Sequence, residues 1–269
     1  MGAGRKIPIG DEPVVPVGEG RHVLGIDIGG TGIKGAVVDV DVGALAAERF
    51  RVLTPQPATP KAVSAKVGEI VEHFEWEGPI GCGFPAAIQS GEVKTAANIS
   101  KKWVGEDVEQ LFEQVARRRV VVLNDADAAG VAEMRFGAGR QQKGVVLVVT
   151  LGTGIGTALF VDGHLVPNTE LGHIEIDGRD AETWCSARVR EKLKLPWKKW
   201  AQRLDLYLKR LQFYLWPDLI ILGGGISKKH ERFMPHLKVE TTVVPARMLN
   251  QAGIIGAAAS VRKTSRSSP

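Results

Sequence analysis

Cysteine is nearly absent from this chain. Its 269 residues hold two, Cys82 inside an apolar stretch and Cys185 far from it in sequence. They form no pair at metal-ligand spacing and no framework of disulfides, so both are expected as reduced thiols. Also missing is any apolar run approaching the roughly 20 residues that span a bilayer. The amino terminus has no charged, apolar, small-residue cleavage pattern. These absences predict a soluble, cytoplasmic protein with no membrane partner. The chain is 44% hydrophobic, enough for a sizeable core in one large domain or two smaller ones.

In place of those features the chain repeats itself. Gly30-Thr31-Gly32-Ile33-Lys34-Gly35-Ala36 recurs 122 residues later as Gly152-Thr153-Gly154-Ile155-Gly156-Thr157-Ala158, with five of seven positions identical. Each copy follows an apolar run, Val23 to Ile28 or Val145 to Leu151, and leads into another. Each therefore reads as a tight hairpin between buried strands, and two of them suggest a duplicated core. Glycines let backbone N–H groups approach an anion, and a Thr hydroxyl adds a donor. Gly29, Gly30, Thr31 and Gly32, with Gly152, Thr153 and Gly154, are thus candidates to clasp one phosphate chain. Plain hairpin punctuation is the competing reading, which the duplication weakens. Asp27, beside the first turn, suits a hydrated Mg²⁺, or is a strand-end carboxylate without chemistry. Lys34 is either a phosphate ligand or a solvated lysine.

A β-β-β-α order follows from the first hairpin, a third strand near Glu48 to Leu53 and a helix over Lys61 to Phe74. Ile80 to Phe84 and Val120 to Leu123 read as buried strands, with a helix from Glu106 to Arg118 between them. The second half repeats the scheme with strands Val145 to Leu151 and Thr157 to Val161, a long helix after Pro196, and Leu219 to Leu222 ending in Gly223-Gly224-Gly225. That triple glycine is a third candidate ligand loop, where glycines pack under a flat ring or merely turn the chain. The expected organisation is a first α/β domain over 21–125, completed by a helix over 251–263, and a larger second α/β domain over 126–250. The ends, 1–20 and 264–269, are expected to be flexible.

The net charge is +5 and the pI near 9.2, which calls for an anionic partner without naming it. From Ala187 to Arg210 nine Lys or Arg oppose two acids. Beyond Pro196 the residues Trp200, Ala201, Leu204, Leu208, Leu211 and Leu215 fall at helical spacing. A docked helix with a solvated basic face explains this, and so does a basic track for a polyanion. No nucleic-acid motif is present, so no nucleic-acid partner is expected.

GIDIGGTGIKGAVVD, TLGTGIGTALF and ILGGGIS, in that order, resemble the first phosphate, second phosphate and adenosine motifs of the bacterial repressor, open-reading-frame and kinase (ROK) family. That family lies within the actin, hexokinase and heat-shock-protein-70 superfamily. The likeness covers residues 21 to 263, and ELGHIEIDGRDAETWCS is similar to its compact, polyphosphate-using glucokinases and glucomannokinases. The resemblance implies a two-domain actin-like ATPase (ribonuclease H-like) α/β fold. It implies transfer of a phosphoryl group from inorganic polyphosphate or ATP to the 6-hydroxyl of glucose or mannose, with Mg²⁺ or Mn²⁺. Asn124-Asp125 matches the family's pair in which the Asp is general base, although an Asp there also reads as an N-cap. Asn98, Asn124, Asp125, Glu170, His173 and Glu182 match sugar contacts, and Gly83-Phe84-Pro85 matches a wall beside them.

Many members carry a Cys-rich zinc motif after the sugar-binding His, whereas only Cys185 stands there, so no structural zinc is expected. Little sequence precedes the first phosphate strand, which disfavours the family's DNA-binding repressors. Candidates for a polyphosphate track are Lys101, Lys102, Arg188, Arg190, Lys192, Lys194, Lys198 and Lys199. Related kinases are often dimers, and the helix after Pro196 is a candidate interface. The rival readings are an ATP-only kinase for fructose or an amino sugar, and a sugar-responsive regulatory module without catalysis.

Overall fold

A computed structural model describes residues 21–97 and 99–261. The first half contains β1 (His22–Ile28), β2 (Gly32–Asp39), β3 (Ala44–Leu45), β4 (Phe50–Leu53), α1 (Pro60–His73) and β5 (Ile80–Phe84). A ribbon of β6 (Ile88–Gln89) and β7 (Glu92–Val93) follows, then α2 (Val108–Ala116), β8 (Val120–Asn124) and α3 (Asp125–Phe136). The second half contains β9 (Val145–Leu151), β10 (Ile155–Val161), β11 (His164–Val166) and the ribbon β12 (Glu175–Ile176) and β13 (Arg179–Asp180). It continues through α4 (Ala181–Cys185), α5 (Ala187–Lys192), α6 (Trp197–Leu215), β14 (Leu219–Gly223), β15 (Val243–Pro245) and α7 (Ala252–Ala259). No helix among the described residues is long and apolar enough to cross a membrane.

The two sheets have the same plan. One runs β3-β2-β1-β5-β8 with β4 also on β2, and the other runs β11-β10-β9-β14-β15. In each, an antiparallel hairpin is followed by two parallel strands. The register makes the duplication specific. Ile28 pairs with Ile33 and Asp27 with Lys34, while Leu151 pairs with Ile155 and Thr150 with Gly156. Thr150 therefore occupies in the second sheet the place Asp27 occupies in the first.

Alternation along the strands separates four apolar layers. Leu24, Ile26 and Ile28 of β1 join Val63, Val67 and Phe112 of α1 and α2 on the outside of the first sheet. Val23 faces inward with Ile254, Ile255 and Ala258 of α7. In the second sheet Val146 and Val148 face inward with Val131 and Met134 of α3, while Leu147, Val149 and Leu151 face out onto α6. The order is thus helix, sheet, helix pair, sheet, helix. The apolar face of α6, with Trp200, Leu204, Tyr207, Leu208 and Leu211, is buried in this way. The expected docked helix is what forms, and that face is not left free as an interface.

Helix limits follow their caps. Thr59 caps α1 ahead of Pro60, Asp107 caps α2, and Arg117 ends α2 in the left-handed conformation. Pro196 stands at the N-cap of α6, so the helix begins directly after it as expected. The final helix is shorter than expected, Ala252–Ala259, and the last two positions of the predicted span, with 1–20 and 264–269, lie outside the described residues.

Helix α7 packs against α3 and β5 with no room for a side chain at the contact points. A Cβ on Gly256 of α7 would land on the carbonyl oxygen of Ala128 in α3, and one on Gly81 of β5 would land on that of Ala257. The sequence AGIIGAAA leaves backbone against backbone here. We predict that Gly256→Val costs about 2 kcal/mol, read as a thermal midpoint lower by at least about 4 °C. Gly68→Ala in α1, where the nearest atom is Val115 Cβ at 3.8 Å, should keep the wild-type midpoint. Equal midpoints for the two variants would contradict the packing account.

Candidate active site

Both glycine turns open into one cleft. Gly29 N–H bonds Gly32 O at 3.1 Å and Gly152 N–H bonds Gly154 O at 3.0 Å, closing each turn on itself. Gly30 and Thr31 from the first turn, and Gly152, Thr153 and Gly154 from the second, line a cavity of about 480 Å³. The same cavity is lined by Pro85, Asn124, Asp125, Glu170, His173, Glu182 and Arg188. The structure therefore brings the sugar-contact candidates into one cavity with both turns, except that Asn98 lies outside the described residues.

Asn124, not Asp125, caps α3. Its Oδ1 accepts the N–H groups of Ala126 at 2.8 Å and Asp127 at 3.2 Å, and its Nδ2 donates to Ala86 O at 3.2 Å. The cap reading of Asp125 is thereby overturned, because the preceding side chain already satisfies the end of the helix. Asp125 is the first helical residue and lines the cavity. Burial, then the negative charge of Asp27, raise its carboxyl to about 7.

The loop carrying Glu170 is held from below. Thr157 Oγ1 donates to Thr169 O at 2.6 Å and accepts Leu171 N–H at 3.2 Å. The buried Asp127 accepts Asn168 N–H at 2.8 Å through Oδ2. Burial raises the Asp127 carboxyl to about 7 as well. Asn168, left-handed at φ 60°, bonds both Ile88 N–H (2.9 Å) and Ile88 O (2.7 Å) of β6, tying the two halves together. Glu170 is itself shifted upward, chiefly by burial. Glu182 Oε2 accepts Ile155 N–H at 2.9 Å, and its carboxylate lies where a Cβ on Gly154 would fall. One carboxylate thus supports the second glycine turn and faces the cleft. His173 Nδ1 is 2.8 Å from Asp180 Oδ2.

Beneath this cavity a second, of about 240 Å³, is lined by Asp27, Lys34, Asp125, Thr150 and Gly223-Gly224-Gly225. Asp27 is paired with Lys34 at 3.3 Å, as their register dictates. Gly224 has φ 80°, and a Cβ there would strike the backbone of Leu151, so this turn needs glycine. A third cavity of about 530 Å³ continues past the triple glycine along Ser227, Lys228, His230, Pro245 and Arg247. Asp27 offers a hard oxygen beside the phosphate-sized turns, a donor set that fits Mg²⁺ or Mn²⁺ when a substrate supplies the remaining ligands. Among the described residues no cluster of three or more His, Cys, Asp or Glu is placed to hold a metal by itself.

The basic candidates are dispersed. Arg188 lines the cleft, with its N–H on Gly152 O at 3.1 Å. The Arg190 guanidinium is stacked 3.5 Å over Trp197. Lys192, Lys198 and Lys199 are exposed on α5 and α6, and Lys194 is exposed in the connection between them. Lys101 and Lys102 are exposed in a short 3₁₀ turn beside Ile99 and Ser100, which border a further cavity at Gly29 and Gly30. Sequence reasoning missed Asp127, Thr157, Asn168 and Asp180. Only Asp180 left a cue, as a capping residue ahead of a short helix; the partners of all four are distant or backbone atoms.

Residues 23–189 match the ROK family. The chain is 47% identical over 246 residues to a polyphosphate glucokinase of Mycobacterium tuberculosis, covering 91% of this chain and 93% of that one. The structure of an inorganic polyphosphate/ATP-glucomannokinase from Arthrobacter sp. strain KM superposes with a TM-score of 0.85 and 50% identity over 88% of this chain and 96% of that one. A ROK family glucokinase from Streptomyces griseus, solved in complex with glucose and AMPPNP, gives 0.75 and 25% identity over 88% of this chain and 98% of its own. Motifs, duplicated sheets and relatives agree: this chain belongs to the ROK family and has its actin-like ATPase fold.

Proposed function

We propose that this protein phosphorylates the 6-hydroxyl of glucose, and of mannose as a second acceptor, using inorganic polyphosphate or ATP. The observation that carries this reading is the shared cavity, in which two phosphate-binding turns face three carboxyl side chains, Asp125, Glu170 and Glu182. Relatives covering nine-tenths of the chain and described as polyphosphate glucokinases support the same donor and acceptor. In this reading Asn124, Asp125, Glu170, His173 and Glu182 hold the sugar, with Asn98 as a further contact. Carboxylates suit vicinal diols because each can accept from two hydroxyls.

Asp125 takes the proton of the attacking sugar hydroxyl, and the hydroxyl oxygen forms the new P–O bond as the bond between that phosphorus and the donor chain breaks. A carboxyl held near 7 accepts that proton more readily than an ordinary aspartate, while remaining ionised in a large fraction at neutral pH. The turns Gly29 to Gly32 and Gly152 to Gly154, through the N–H groups not used in closing them, with the Thr31 and Thr153 hydroxyls and Lys34, hold the donor phosphates. Asp27 would hold, through water, a Mg²⁺ or Mn²⁺ whose chemistry is to neutralise donor oxygens. Gly223, Gly224 and Gly225 floor the adenosine side of the site when ATP is the donor. The segments 21–125 with 251–261 and 126–250 act as two domains that close on the substrates and exclude water.

A coupled hexose 6-phosphate assay over glucose, mannose and fructose with ATP or polyphosphate tests the reading. Turnover of glucose with both donors is expected; turnover of fructose alone, or of none, overturns it. Arg188, leading toward Lys192, Lys194, Lys198 and Lys199, forms the track for a long polyphosphate, with Lys101 and Lys102 at the opposite mouth. Binding through many phosphates weakens steeply with salt. Lys198→Gln with Lys199→Gln should therefore raise KM for long polyphosphate several-fold more than KM for ATP, and equal effects on both would remove these lysines from the track.

Asp125→Asn should keep sugar affinity and lose about 10²–10⁴ in turnover. In the wild type, kcat/KM for glucose should fall about tenfold per pH unit once the pH drops below about 7, because a base raised by burial loses its ionised form there. Activity of Asp125→Asn within tenfold of the wild type, or a flat acid limb, would remove Asp125 from the role.

A further inference from the structure

Asp180 has two partners at once. Its Oδ1 accepts the N–H of Thr183 at 3.1 Å, which caps α4, and the Thr183 hydroxyl donates back to Asp180 O at 2.9 Å. Its Oδ2 lies 2.8 Å from Nδ1 of His173. Because the cap fixes the carboxylate to the helix backbone, the second oxygen is a fixed point rather than a swinging arm. His173 is anchored in turn, since its N–H bonds Glu170 O at 3.1 Å to close a 3₁₀ turn. With Nδ1 taken by Asp180, Nε2 is the ring nitrogen left for the cavity that also contains Asp125, Glu170 and Glu182.

We propose that Asp180 is a positioning residue of the acceptor subsite, clamping Nδ1 of His173 so that Nε2 is the edge offered to the sugar. This rests on the reading of His173 as a sugar contact. A cap alone would use one carboxylate oxygen; the second is spent on a side chain that lines the site. The two side chains keep 38% and 36% of their exposure, so the pair contributes little to folding stability, and its product is orientation. A carboxylate on one imidazole nitrogen fixes ring angle and tautomer and thereby decides what the other nitrogen presents. The electrostatics agree with the geometry. The bond to Asp180 is the first cause of an upward shift in His173, which burial opposes and the charges of Glu182, Asp180 and Glu170 reinforce. Below its raised pKa, His173 donates from both nitrogens; above it, the proton shared with Asp180 stays on Nδ1 and Nε2 accepts.

The test uses two substitutions that both retain a good N-cap. Asp180→Ser has a hydroxyl too short to reach the imidazole, whereas Asp180→Asn keeps an acceptor and loses the charge. Asp180→Ser is expected to raise KM for glucose about tenfold with the donor KM little changed, the scale of effect seen when an orienting partner is removed. Asp180→Asn should retain most of the affinity, and the His173 pKa read by NMR should fall in both. In a His173→Ala background, Asp180→Ser should add nothing further. Unchanged glucose KM in Asp180→Ser, with a raised one in His173→Ala, would overturn the clamp and leave the sugar reading of His173 standing. Unchanged glucose KM in His173→Ala would overturn both. A parallel rise in glucose and donor KM with a lowered thermal midpoint would reduce Asp180 to a structural cap.

Discussion

Two sheets can share one pair of helices only if α3 and α7 meet with almost no side chain between them. Gly256 of α7 against Ala128 of α3 supplies that contact, and Gly81 of β5 against Ala257 seats α7 equally close to the first sheet. Everything at the site depends on it. It brings the inward faces of β1 and β9 toward a common layer, so that Asp27 and Thr150, equivalent by register, both border the start of α3. It also places Asp125 between the two glycine turns. A bulkier central layer would separate the turns by the width of a side chain and leave no single donor able to touch both.

The electrostatics of the cleft are a balance between repulsion and use. Asp125, Glu170 and Glu182 crowd one cavity, and Lys34 offsets only Asp27 directly. Burial first, and neighbouring carboxylates after it, raise the carboxyls of both Asp125 and Asp127 to about 7. Folding raises these groups above their unfolded value of 3.8. Their contribution to stability is therefore complete below that value and is lost as the pH rises through about 7. The cost falls at neutral pH, where a base near 7 is useful for proton transfer. Asp127 is not in the cavity, but it holds the loop on which Glu170 stands.

Strands and long helices were legible because their periods are strong: Ile80–Phe84 and Val145–Leu151 end where their apolar runs end. The repeat of the glycine turn disclosed the duplicated sheet, and the order of three motifs disclosed the site. Short pieces were not legible. β3, β6, β7, β11 and β15 hold two or three residues each, too few for a period, and α4 and α5 are set by the caps Asp180 and Ser186 rather than by an apolar face. The role of Asn124 as cap could not be separated from that of Asp125, since neighbouring Asn and Asp are both good caps. The support given by Thr157, Asp127 and Asn168 runs through backbone atoms brought near only by the fold.

The central claim is that Asp125 serves the transfer as a base beside one donor site, so the phosphoryl group passes directly from donor to sugar. An aspartate in such a cleft has an alternative, to attack the donor itself and form an acyl phosphate. The two differ in stereochemistry at phosphorus. With ATP made chiral at its γ-phosphorus by oxygen isotopes and glucose as acceptor, a single in-line displacement predicts inversion in the hexose 6-phosphate. Retention would require two displacements and a phosphorylated enzyme, and would contradict the account.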